Sequence, residues 1–101
     1  MDVKFYWCKG GGSDKVWGYF LGQETLYNFW GKRGAQLAFQ QHPISKKKTF
    51  ETKARSKVSK GYIEQIDESM IEAAWPDFAY EVENQLLIAK MGDTFRYQSE
   101  K

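Results

Sequence analysis

From Val3 to Gln40 apolar and polar residues alternate in short runs, the period of strands half-buried in a sheet. Val3 to Cys8 reads as a first strand, rich in β-branched and aromatic side chains. Lys15 to Leu21 reads as a second, turned by Gly22-Gln23, and Thr25 to Lys32 as a third. Arg33-Gly34 makes a turn, and Ala35 to Gln40 follows as a fourth strand with Ala35, Leu37 and Phe39 on one face. Lys9 to Asp14, with three consecutive glycines, reads as a hairpin connection. A phosphate-cradling loop needs Gly-Lys-Ser/Thr leading into a helix, whereas this run leads into another strand.

The period then lengthens. His42-Pro43 ends the run of strands, and Ser45 is placed to cap a helix from about Lys46 to Lys60. Phe50, Ala54 and Val58 fall at i, i+4 and i+8, a narrow stripe that can lie on a sheet, with Lys46, Lys53, Lys57 and Lys60 along one flank. Gly61 stops the helix, and Tyr62 to Ile66 reads as a fifth strand. Ser69 to Trp75 reads as a short helix stopped by Pro76. Asp77 to Met91 reads as another, with Phe78, Ala79, Val82, Leu86 and Ala89 on one face. Leu87 and Ile88 fall off that stripe, so a hairpin joining 86–89 to 94–97 is the alternative. These elements predict an α+β fold, an antiparallel meander of four to five strands with one helix across it. Residues 1–67 would form that domain, and residues 68–101 an acidic, helical C-terminal extension packed on or beside it.

Composition narrows the class. A chain of 101 residues can bury one core without metal or disulfide staples. Four Trp, six Tyr and seven Phe favour a sheet-rich fold. The single cysteine, Cys8, excludes an internal disulfide framework and fits a reducing compartment. No apolar run approaches membrane-spanning length and no signal-peptide segment opens the chain, so the expectation is a soluble cytoplasmic protein.

Charge distribution changes the picture more. The net charge is +2, but residues 30–60 carry nine basic side chains against one acidic, and residues 61–101 three basic against nine acidic. A basic middle with an acidic tail points to a polyanionic partner, an internal charge contact, or both. The centre of interest is Tyr27-Asn28-Phe29-Trp30-Gly31-Lys32-Arg33-Gly34. On a strand, Leu26, Asn28, Trp30 and Lys32 share one face, and Tyr27, Phe29 and Arg33 the other. An indole and an ammonium on one face, separated by a glycine that permits close approach, suit a phosphate-bearing ligand with stackable bases.

With these residues placed, the chain resembles a WGR domain over roughly residues 3–67. This small module is found in the DNA-dependent poly(ADP-ribose) polymerases and in many bacterial proteins. The resemblance rests on the opening strand, on Trp30-Gly31-Lys32-Arg33-Gly34 in the place of Trp-Gly-Arg-x-Gly, on the basic helix and on Lys60-Gly61-Tyr62-Ile63-Glu64. It implies an antiparallel sheet crossed by one helix and a role in binding DNA breaks, with Trp30 near a terminal nucleotide and Lys32 in the position of the motif arginine. Lysine lacks the planar two-pronged grip of arginine, and Arg33 stands where the family has a small apolar residue.

The candidate nucleic-acid-binding residues are therefore Trp30, Lys32, Arg33, Lys46, Lys53, Lys57 and Lys60. Their ordinary structural roles are a packed tryptophan, a solvated turn and the solvated flank of an amphipathic helix. No helix carries base-reading residues, so binding would follow backbone, end or shape, to DNA in preference to RNA. The competing class is a protein-interaction module, in which the acidic tail packs through Phe78, Val82 and Leu86 and masks the cationic surface. Catalysis and cofactors are not expected. One histidine, His42, and one cysteine, Cys8, give a poor nucleophilic pair and too few ligands for a metal.

Overall fold

The computed structural model describes residues 3–87. β1 (Val3–Gly10), β2 (Ser13–Leu21), β3 (Thr25–Lys32) and β4 (Ala38–Pro43) form a meander, and β5 (Ile63–Gln65) returns to pair with β1. The order is β4-β3-β2-β1-β5, with every neighbouring pair antiparallel. A 3-10 turn (Ile44–Lys46) leads into α1 (Lys47–Ser59), and α2 (Glu68–Ala74) and α3 (residues 78–87) follow β5. The hairpin expected at the glycine run is present: Gly11 and Gly12, with φ of 57° and 82°, bridge the Gly10–Ser13 pair. Two consecutive residues at positive φ are what a tight hairpin matched to sheet twist demands.

Strand alternation divides the side chains into two cores. On one face Phe5, Val16, Phe20, Tyr27 and Phe29 meet Ala74, Trp75, Phe78 and Val82 from α2 and α3. Phe78 sits edge-on to both Phe5 and Phe29, with centroids 5.1 and 4.9 Å away. Such pairs add about 0.5–1.5 kcal/mol beyond area burial. Gly18 lies beneath the Phe29 ring, and a Cβ there would collide with that ring and with the Lys4 carbonyl. On the other face Tyr6, Trp17, Tyr19 and Leu26 meet Phe50 and Ala54 of α1, together with Tyr62. Asn28, buried on this face, donates from Nδ2 to the Gly18 carbonyl at 2.8 Å, so its amide is not left unpaired.

Several expectations need correction. The fourth strand begins three residues later than expected and includes His42 and Pro43. Leu37 still enters the core, from the loop before it. Ser45 does not cap α1; it lies within the 3-10 turn, and the cap position, Lys46, makes no side-chain bond. Val58 is 52% exposed. The seam facing the sheet is Phe50, Ala54 and Lys57, at i, i+4 and i+7, which turns Val58 outward by about one residue's rotation. Gly61 does end the helix, in the left-handed region at φ 103° with its N–H on the Val58 carbonyl.

The expected masking of the lysines by the tail is also corrected for the described residues. Phe78 and Val82 do pack, with Leu86 beside them, but on the face of the sheet opposite α1. Residues 68–87 thus contribute four of the ten buried residues of a core shared with the meander. Asp67 opens α2 by accepting from the Met70 N–H at 2.9 Å. Leu86 and Leu87 are helical, which favours the helix over the hairpin there; residues 88–101 lie outside the described residues. No helix among the described residues is long and apolar enough to cross a membrane.

Candidate nucleic-acid interface

The residues of interest lie on the face that carries α1. The register aligns Cys8 with Lys15 and Lys15 with Lys32; in the next row Tyr6, Trp17, Trp30 and Ala38 follow across four strands. α1 packs on this grid through Phe50 and Ala54, linking β4 to β5 in the chain. Its Phe50 stacks on Trp17, with centroids 6.2 Å apart and planes 10° from parallel. The helix therefore covers Trp17 and leaves the corner beyond it open. Trp30 stands in that corner, 38% exposed, whereas Trp17 directly opposite is 7% exposed.

Four lysines flank that corner from three elements, β2, β3 and α1. Lys15 and Lys32 are directly opposed across β2 and β3, a like-charge pairing that opposes folding. From α1, Lys57 places Nζ 5.6 Å from the Trp17 ring centre and 5.1 Å from that of Tyr62. Lys53 lies 4.7 Å above Phe50. Both set their ammonium over aromatic faces, in cation–π range. Burial, then the neighbouring Lys60, Lys15 and Lys53 ammoniums, pull the pKa of Lys57 below the ordinary lysine value, with Cys8 opposing. The register beside Lys15 and the ring contacts of Lys53 and Lys57 place these side chains, with Lys60 at the end of α1, within electrostatic reach of one another. Among the described residues the two ion pairs are Lys4–Glu64 and Arg33–Asp14, and neither relieves their repulsion.

The candidate set thus divides. Trp30, Lys32, Lys53, Lys57 and Lys60 come together, and Lys15 joins them. Lys15 escaped the sequence reading because its membership depends on the β2–β3 register; its only signal was a polar residue alternating with Trp17 and Tyr19. Lys46 lies at the far end of α1, about 20 Å of helical rise from Lys60. Arg33 turns to the other face, where Nε donates to both Asp14 oxygens at 3.0 Å and the guanidinium lies 5.1 Å from the Trp7 ring centre. Asp14 also accepts from the Trp7 indole N–H at 2.7 Å. These hydrogen bonds, that of Trp7 foremost, hold the Asp14 carboxyl below its usual pKa. Arg33 is therefore a closed ion pair on the wrong side of the sheet.

The glycine between Trp30 and Lys32 serves the chain's own backbone. A Cβ on Gly31 would lie 3.3 Å from the Gln36 carbonyl, where the loop before β4 crosses toward the Leu37 core position. Cys8 and His42 stand on β1 and β4, three strand spacings or about 14 Å apart, too far for a nucleophile and its base. Among the described residues no three His, Cys, Asp or Glu side chains gather as metal ligands. Comparison with models of protein families, with curated proteins and with solved structures finds no match.

Proposed function

We propose that the protein is a non-enzymatic module that binds nucleic acid, DNA more than RNA, through its backbone or strand ends and without sequence preference. The observation that carries this reading is the exposed Trp30 ring on the same open corner as a cluster of lysines that form no ion pair among the described residues. An aromatic face beside mobile ammoniums suits an unpaired or terminal base with its flanking phosphates, since stacking is indifferent to base identity. The WGR-like run Trp30-Gly31-Lys32-Arg33-Gly34 supports the same class, with Lys32, Lys15 and the α1 lysines in place of a phosphate-gripping arginine. Lys46 and Arg33 drop out of the proposed contact set, one by distance and the other by its pairing with Asp14.

Five lysines meeting phosphate give weak binding at physiological salt, about 10⁻⁴–10⁻⁶ M, suited to an accessory role beside a tighter partner. Labelled duplex DNA with and without a 5′-phosphate, single-stranded DNA and RNA, titrated at two salt concentrations, test the proposal. Binding should weaken with salt at a log–log slope of about −4 to −5 on duplex if all five engage. Trp30→Ala should lose at least tenfold on single strands and ends, and Lys57→Ala should reduce the slope by about 1. Absence of binding at low salt would reject the reading in favour of a protein-interaction module.

A further inference from the structure

We propose that the groove between α2, α3 and the start of β1 docks a cationic amphipathic segment of a partner protein. This cavity of about 470 Å³ lies on the side of the molecule away from the lysine corner. Its floor is apolar, formed by Ile71, Trp75, Phe78 and Val82. Its rim carries Asp67, Glu68, Glu72 and Glu83, and among the described residues no lysine or arginine lines it. A volume of this size accepts a few apolar side chains, within the range of about 300–1,000 Å³ typical of binding clefts.

Charge selects the occupant. From Ile66 to Leu87 the chain carries six acidic side chains and no basic one. Neither ion pair among the described residues involves them. The lysine cluster lies across the sheet, so within one molecule it gives the groove no counter-charge. Apolar surface is concentrated on the same half: Ile66 is 78% exposed and Tyr80 66%, and Met70 and Leu87 are also exposed. Carboxylates around an apolar trough favour a helix that buries leucine-like residues at i, i+3, i+4 and i+7 and presents lysine or arginine to the rim. The site is separate from the nucleic-acid corner, so one domain would hold polyanion on one face and a basic protein segment on the other.

The test uses the full chain and two fluorescent peptides of equal length and charge. One has leucine at helical spacing among lysines, and the other has every leucine replaced by serine. Fluorescence anisotropy should show the leucine peptide binding at least tenfold tighter than the serine peptide. Ala79, exposed at the groove wall, permits a plug that leaves the core alone: Ala79→Trp should weaken the leucine peptide at least tenfold with an unchanged circular dichroism spectrum. Glu68→Lys with Glu72→Lys should do the same, and Trp30→Ala should leave it unchanged. Equal binding of the two peptides, no binding of either, or indifference of a folded Ala79→Trp protein would each overturn the proposal. So would self-association that Ala79→Trp abolishes in a chain blind to both peptides, since the occupant would then be a second copy.

Discussion

The two faces of the sheet are packed by opposite means. On one, phenylalanines and valines from three strands meet Trp75, Phe78 and Val82, and the described helices close over them. On the other, a helix with two buried residues, Phe50 and Ala54, crosses a row of large rings and leaves Trp30 and Lys32 uncovered. The first face is built to hold the fold together. The second accepts an opposed lysine pair and an exposed indole, arrangements that contribute little to folding.

The largest test of this contrast is on the closed face. Phe29→Ala should cost about 3–5 kcal/mol by leaving a cavity beneath Phe78 and beside Phe5. Gly18→Ala should cost about 1–3 kcal/mol or more, since its Cβ has no room between the Phe29 ring and the Lys4 carbonyl. Urea unfolding of both, set against Trp30→Ala at under about 1 kcal/mol, would establish the asymmetry. Similar losses for Phe29→Ala and Trp30→Ala would erase it.

An alkaline transition sharpens the same point from within the open face. Burial, then the nearby Tyr6, Glu51 and Glu64, push the Tyr19 phenol up to about 12, with Arg55 opposing. Its folded pKa lies above the unfolded value of about 10. The contribution is therefore complete below pH 10 and lost as pH rises toward 12. Unfolding free energies measured across that window should fall in the wild type and fall less in Tyr19→Phe.

A smaller effect separates stability from binding. Lys32→Glu converts the opposed Lys15–Lys32 pair into an attractive one, so the melting temperature should rise slightly while affinity for nucleic acid falls at least tenfold. A variant that loses both would mark Lys32 as a structural residue. The smallest expected signal is a shift in one titration. In NMR, Lys57 should lose its proton below the ordinary lysine pKa, and an added oligonucleotide should raise that midpoint by neutralising the surrounding ammoniums. No movement would place the ligand elsewhere.

Much of this was written in the chain. Alternation placed β1, β2 and β3, the triple glycine dictated a tight hairpin, Gly61 ended α1, and the basic helix and Trp30 followed from residue type and spacing. Local backbone geometry and side-chain period determine such features, and both are properties of neighbouring residues. The phase of α1, which made Lys57 a covering residue and turned Val58 outward, was ambiguous because two apolar positions fit more than one seam. The union of Lys15 with Lys32, the removal of Arg33 by Asp14 and the placing of the acidic helices behind the sheet were decided only in three dimensions. They depend on which strand pairs with which, in what register, and on which face each helix returns. Those choices are set by contacts between residues far apart in sequence, where no local pattern carries the information.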